Sequence, residues 1–340
     1  MRAPLPAPEP RGPDALDPPP FEQLPVALSW RCDFACRHCC ISATPEAAAD
    51  EMTAAELSEW LPAVARQFRL VCFTGGEPTL AWDRLLAGIR ACTAVGVPAT
   101  MVSHGKWLDG DGANERMDLL AGAGLTFLTL SYDEYHDPFW PKARLLDAVG
   151  RAAAHGFSVW VKLVRGTRFS EGWADEFRAA GAVWAGVQDL YEVGRARLVK
   201  LRGTRVEPLS SCPSLASPML APNGDLFACC NAETLRATHL LGNAREHPIA
   251  ELLARRRTNP LLTAEMALGP GGLAEILGLK DGSDNLCRLC AEIMRSPARV
   301  ARLHEALGRS DLRRQIVGRN LLFACQEYDV PALPLRRKEG

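Results

Sequence analysis

No stretch of this 340-residue chain approaches the roughly 20 apolar residues that a bilayer-spanning helix needs. Its opening, MRAPLPAPEPRGPDALDPPP, lacks the basic head and apolar stretch of a signal peptide. Net charge is nearly absent as well. At −1 it supplies no global field to gather nucleic acid or anionic lipid. No internal repeat is present. These absences describe a chain expected in the cytoplasm, with neither membrane nor nucleic acid as a partner. In that reducing setting disulfides are a poor explanation for 12 cysteines, and metal or catalytic use is the better one.

What is present begins with a core: 47% of the residues are hydrophobic, ample for one large domain or two unequal ones. Residues 1–25 hold nine of the 25 prolines without apolar periodicity and read as an extended, disordered tail. From residue 26 short apolar runs alternate with longer amphipathic ones. Strands are expected at 26–30, 69–75, 98–104, 125–132, 158–165 and 186–193, with helices such as TAAELSEWLPAVARQF and WDRLLAGIRACTAVG between them. Gly96 stands where the second helix should stop. Six strands alternating with helices predict parallel βα units over 26–200, an α/β fold that is either an open sheet or a partial barrel. Chemistry then belongs at the C-terminal strand ends. Residues 201–295 read as a loop-rich second unit. Residues 296–340 read as a helical extension, with Ser296-Pro297 and Ser310 as helix starts.

Two motifs carry chemistry. The first is SWRCDFACRHCC, residues 29–40, with Cys32, Cys36 and Cys39 spaced Cys-x3-Cys-x2-Cys and Cys40 appended. Three thiolates on one loop can hold three corners of a 4Fe–4S cube and leave one iron open for a substrate. Zinc, or a cluster that only carries electrons, is the plainer reading of the same spacing. Cys40 should be spare, since adjacent side chains rarely aim at one cubane. The second motif is FTGGEPTL. It ends the second strand in Gly75-Gly76-Glu77-Pro78, where the glycines admit a close-lying ligand and Glu77 can receive an ammonium group.

Together, CDFACRHC and TGGEP resemble the radical S-adenosylmethionine (SAM) superfamily, over roughly residues 26–200. The resemblance implies a partial (β/α)6 TIM-like barrel. It makes Cys32, Cys36 and Cys39 the ligands of a 4Fe–4S cluster whose open iron is chelated by SAM. One-electron cleavage would then give a 5′-deoxyadenosyl radical that abstracts a substrate hydrogen. Gly75, Gly76 and Glu77 would hold the SAM amine, and His38 would lie near the adenine. Ser103 would lie near the SAM carboxylate, and Ser131 or Asp133 would reach ribose or substrate. Arg195, in the EVGRAR turn, would pair with the SAM carboxylate. For Ser103, Ser131 and Asp133 the alternative is simple capping of a strand end, for Arg195 it is an exposed side chain, and Lys162 can point either way.

In the second unit, CPSLASPMLAPNGDLFACC reads as a hairpin turning at Asn223-Gly224, which brings Cys212 towards Cys229, with CRLC, Cys287 and Cys290, following. Structural zinc suits these four equally. The spacing Cys-x11-Gly-x4-Cys resembles the opening of the SPASM and twitch auxiliary-cluster domains. A twitch-like domain with one further 4Fe–4S cluster on Cys212, Cys229, Cys287 and Cys290 is implied. Cys230 is an alternative to Cys229, and Cys72 and Cys92 are expected in the core. The resemblance implies a peptide or natural-product maturase, or a dehydrogenase of a carbohydrate-like small molecule. It also implies a flavodoxin- or ferredoxin-type electron donor. With only 31 residues before Cys32, a separate leader-peptide-binding protein is an expected partner of a peptide maturase. A non-catalytic iron–sulfur or zinc protein is the reading from another class.

Overall fold

The structure, a computed structural model, describes residues 22–46, 50–125, 127–190, 192–201, 212–230, 239–279 and 286–324. Most of the proline-rich tail, and Cys325, lie outside them. Six parallel strands appear where the apolar runs predict them: β1 (Gln23–Ala27), β2 (Leu70–Thr74), β3 (Ala99–Ser103), β4 (Phe127–Tyr132), β5 (Ser158–Arg165) and β6 (Trp184–Asp189). They lie side by side in chain order, joined by parallel ladders. The period of two sorts their residues. Leu24, Val26, Val71, Phe73, Met101, Leu128, Leu130, Val159, Val161 and Leu163 are buried in the core shared with the helices. The alternate positions, among them Ala27, Cys72, Thr74, Val102, Ser131, Lys162 and Gln188, line a cavity.

Two strands, β1 and β6, are displaced from expectation. β1 runs from Gln23 to Ala27 rather than 26–30, so the last residues of the expected tail belong to the sheet. Pro25 disguised it, because proline is rare in strands with neighbours on both sides. Leu28 N–H donates to Thr74 O, so alternation turns the Pro25 nitrogen away from β2. On that far side β1 meets the next strand through a single residue pair, Val26 with Leu220, and a missing donor costs little. As a consequence Cys32 does not follow the strand directly, because residues 28–31 intervene. β6 likewise lies at 184–189 rather than 186–193.

Helices α1 (Ala54–Val64), α2 (Trp82–Ala94), α3 (Ala113–Ala123), α4 (Lys142–Ala154) and α5 (Gly172–Ala179) fill the βα connections, and a short α6 (Gly194–Leu198) follows β6. Thr53 and Glu56 form a reciprocal capping box on α1. Gly96, at φ 72°, closes the turn after α2. The second unit does not stand apart. The expected hairpin, β7 (Met219–Leu220) and β8 (Asp225–Phe227), turns at Gly224 with φ 86° and continues to β9 (Leu240–Asn243). β7 pairs with β1, so one sheet runs β6-β5-β4-β3-β2-β1-β7-β8-β9. Between Cys229 and Cys287, α7 (Ile249–Thr258) and α8 (Pro260–Ile276, kinked at Gly269) occupy the middle of this unit. Helices α9 (Leu286–Met294), α10 (Pro297–Leu307, capped by Ser296) and α11 (Ser310–Ala324) share with α8 a second small core around Leu268, Leu273, Ile293 and Leu303. Among the described residues no helix is long and apolar enough to cross a membrane.

Thr53→Ala removes the side-chain half of the capping box. It should lower stability by about 1 kcal/mol and the melting temperature by about 2 °C. Thermal unfolding followed by circular dichroism checks this, and unchanged melting would show that the cap is silent.

Candidate active site

The cysteine loop leaves β1 and folds over the C-terminal ends of the strands. Cys32 N–H donates to Thr44 O at 3.1 Å, Cys39 N–H to Cys36 O at 3.2 Å and Ser42 N–H to Cys39 O at 3.3 Å. Two sulfurs receive backbone donors: Cys32 Sγ from Phe34 N–H (3.4 Å) and Cys39 Sγ from Ala43 N–H (3.3 Å). Cys32 and Cys36 are buried, Cys39 is half-buried and Cys40 is exposed. Burial, then the negative fields of Asp133, Cys32 and Cys39, push the Cys36 thiol up. Three thiols on one short loop are a donor set that fits an iron–sulfur cluster, whose irons would replace their protons.

The loop is clamped from two sides. From β2, Gly75 (φ 130°) and Gly76 pass so close to residues 29–31 that a Cβ on either would overlap the carbonyl oxygen of Ser29 or Arg31. Gly76 N–H donates to Ser29 O at 2.7 Å and Glu77 N–H to Arg31 O at 2.8 Å. The close approach that the two glycines permit is therefore, first of all, that of the cysteine loop's own backbone. From α6, Gly194 (φ 57°) packs where a Cβ would overlap the Cys40 carbonyl. Arg195 donates from its backbone to Cys39 O at 2.9 Å, from Nη1 to Cys36 O at 2.7 Å and from Nη2 to Ala43 O. Both terminal nitrogens of the guanidinium thus hold loop carbonyls.

Glu77, only 1% exposed, is the anchor of a polar net. Its Oε1 accepts from Thr79 N–H (3.2 Å), Thr79 Oγ1 (2.7 Å) and Ser103 Oγ (2.9 Å), and its Oε2 accepts from His104 N–H (3.1 Å). Ser103 Oγ also accepts from Gly105 N–H at 2.9 Å and Trp107 Nε1 at 3.0 Å, so this hydroxyl supports Glu77. The His104 ring lies 2.8 Å from Asp33 Oδ1, 3.2 Å from Glu77 Oε2 and stacks on Phe34 at 3.8 Å. Burial disfavours its imidazolium, but Glu77, Asp33 and Cys32 outweigh burial and hold the pKa up to about 10. The hydrogen bond from His104, opposed by burial and reinforced by Lys106, brings Asp33 down to about 2.

His38 and Asp133, expected near adenine and ribose, pair with each other. Asp133 Oδ2 lies 3.1 Å from His38 Nε2 and 2.9 Å from His136 Nδ1, and Oδ1 accepts from Tyr135 N–H at 2.8 Å. Burial opposes the charge on Asp133, yet His136 and His38 hold its carboxyl well below the usual range. All three line a cavity of about 420 Å³, together with the cysteine loop, Gly75, Gly76, Glu77, Ser103 and Ser131. Lys162 lines it too, which settles its direction. His104 and His136 were legible only as neighbours in SHG and SYDEYHD, since nothing in the spacing marks them.

In the second unit, Cys212 is half-buried and Cys229 and Cys290 are buried. Burial, then Cys229, Glu265 and Cys287, raise the Cys212 thiol, while burial, then Glu265, Cys229 and Cys212, raise Cys290. Cys290 Sγ donates to Glu265 Oε1 at 2.8 Å, and Cys212 N–H donates to Met266 O beside it. Cys287 and Cys230 also line the large cavity. Cys72 and Cys92 are buried, as expected, although Cys72 lines the cavity as well.

With this geometry in view, residues 28–166 match the family model of the radical SAM superfamily. That family implies a 4Fe–4S cluster and SAM. YydG of Bacillus subtilis (strain 168), assigned to peptide biosynthesis, is 30% identical over 117 residues, which is 34% of this chain and 36% of that protein. The chain therefore matches about a third of that relative's length. SuiB of Streptococcus suis bound to S-adenosylmethionine has a similar fold, with a TM-score of 0.58 at 15% identity over 82% of this chain and 75% of that one. SuiB bound to its precursor peptide SuiA gives 0.50 at 15% identity, over 71% and 66%.

Arg195→Ala should leave the fold intact but speed the loss of loop iron to a chelator several-fold, read by absorbance after anaerobic reconstitution. Unchanged iron release with weakened SAM binding would return Arg195 to the carboxylate role.

Proposed function

We propose that this chain is a radical SAM enzyme that modifies a peptide. The observation that carries the reading is that Cys32, Cys36 and Cys39, with the more exposed Cys40 beside them, line the cavity that Glu77 also lines. When bound, the cluster and SAM would supply one-electron cleavage of the sulfonium and a 5′-deoxyadenosyl radical able to remove a substrate hydrogen.

The chain's own residues supply position. Arg195 and the two glycine turns hold the three thiols in one arrangement, so cluster binding pays little ordering entropy. Glu77 is fixed by Thr79, Ser103 and His104, and its Oε2, which carries fewer bonds than Oε1, is the acceptor for the SAM ammonium. Ser103 and His104 are positioning residues here. The His38–Asp133–His136 group forms the wall beside Cys36, where adenine and ribose would lie. Lys162, on the β5 wall between Ser131 and Gly186 in register, offers an ammonium to a substrate carboxylate. A flavodoxin- or ferredoxin-type protein is the proposed electron donor, and a separate leader-binding protein a proposed partner.

The peptide reading is supported by YydG, the sequence relative, and by the fold shared with SuiB in its complex with SuiA. The reaction is a hydrogen abstraction followed by oxidation or bond formation. A second cluster in the Cys212–Cys229–Cys287–Cys290 region would accept or relay the electron. A small polyol is the second reading, favoured by the polar cavity wall of Ser131, Lys162 and Gln188.

A deuterated precursor-type peptide should pass deuterium to 5′-deoxyadenosine, detected by mass spectrometry. Transfer only from a deuterated cyclitol would replace the peptide reading. Glu77→Gln should slow SAM cleavage about 10- to 100-fold, chiefly through the KM for SAM. An unchanged KM would remove Glu77 from the ammonium site.

A further inference from the structure

At the end of the sheet opposite the cysteine loop, the face that lines the cavity carries an uncovered aromatic ladder. Phe127, Trp160 and Trp184 are 36%, 39% and 45% exposed, three of the four exposed large aromatic side chains among the described residues. Alternation puts them on the face of Ser131, Lys162 and Gln188, nearer the strand starts. Phe127 and Trp160 meet edge to face at 6.0 Å, and Trp160 and Trp184, paired in register, lie 5.8 Å apart. The Trp184 indole is folded over Gly186, where a Cβ would overlap it, so the ring lies along the sheet. Large apolar side chains gathered in this way mark a surface that something covers.

The chain itself brings a fitting segment to that end. β1 runs parallel to its neighbours, so the residues before it leave the sheet at the strand starts. Glu22 fixes the exit: its N–H donates to Ala216 O at 2.9 Å and its carbonyl accepts from Arg69 N–H at 3.1 Å. Pro25, Cys72, Thr100 and Phe127 form one cross-strand row, which puts the first ring of the ladder three strands from β1. Trp184 is five strands away, about 24 Å at the ordinary strand spacing. Residues 1–21 hold eight prolines. Extended as polyproline they span about 65 Å, so about eight residues already reach Trp184. Proline rings pack on aromatic faces, and a segment preset in this form loses little conformational freedom on docking. The tether adds an effective concentration of order millimolar, which a free peptide or a second copy lacks.

We propose that residues 1–21 dock across Phe127, Trp160 and Trp184, with Pro18, Pro19 and Pro20 over the first two rings and Pro13 over the third. The docked tail closes the strand-start end of the cavity face, beneath Lys162 and Gln188, while the cysteine loop occupies the other end. Docking of this kind requires neither cluster nor SAM.

Acrylamide quenching of tryptophan fluorescence in the full chain tests this. Pro13→Ala, Pro18→Ala, Pro19→Ala and Pro20→Ala together should raise quenching and shift the emission to the red. Deleting residues 2–20 should do the same, and a synthetic peptide of residues 1–21 should reverse it at up to millimolar concentration. Trp160→Phe with Trp184→Phe should abolish the response to either tail change, which ties it to the ladder and not to the other tryptophans. Circular dichroism controls for folding, and the alanine variant keeps the full chain should the deletion fail to fold. Quenching and emission unmoved by the tail changes overturn the proposal. A response that survives in the Trp160→Phe, Trp184→Phe background overturns it too. Shielding that rises with protein concentration and persists without the tail makes a second copy the occupant, which also overturns it.

Discussion

Everything at the strand ends depends on one steric constraint: the backbone of residues 29–40 is pressed between two turns that tolerate no side chain. Gly75-Gly76 closes on Ser29 and Arg31, and Gly194 closes on Cys39 and Cys40. The hydrogen bonds that follow, from Gly76, Glu77 and Arg195, are made to carbonyls that would otherwise face a cavity unsatisfied. The three cysteines thus line one cavity because turns from β2 and from beyond β6 squeeze one loop, so their placement depends on both ends of the parallel sheet.

Charge is managed by the same economy. Glu77, His104, Asp33 and Lys106 run as a chain of alternating sign from the end of β2 through β3 to the cysteine loop. Asp133 stands between two histidines on the other wall. Each buried anion has a cationic or hydrogen-bonding neighbour within about a contact distance, as burial requires. Lys162 lines the cavity, where its ammonium is available to the proposed substrate carboxylate.

Much of this was legible beforehand. Strand positions, the Gly96 and Ser296 helix boundaries and the Asn223-Gly224 hairpin follow from local periodicity and turn chemistry, which the sequence displays directly. β1 was misplaced because Pro25 hides a strand whose outer edge is nearly unpaired. The continuity of β7 with β1 depends on a long-range pairing that no local pattern encodes. The candidate site divides in the same way. The cysteines and the Gly-Gly-Glu turn are recognisable by spacing, whereas His104, His136 and Glu265 are single residues brought in by distant elements. Arg195 is named by its motif, but a motif does not say which carbonyls its guanidinium reaches, and those of Cys36 and Ala43 depend on the fold.

The central claim is that the loop of Cys32, Cys36 and Cys39 holds a cluster that opens SAM. Anaerobic reconstitution of the unaltered chain with iron and sulfide, followed by SAM and dithionite, addresses it most directly. The account predicts about eight irons per chain and formation of 5′-deoxyadenosine. Zinc bound in place of iron, with SAM left intact, would contradict it.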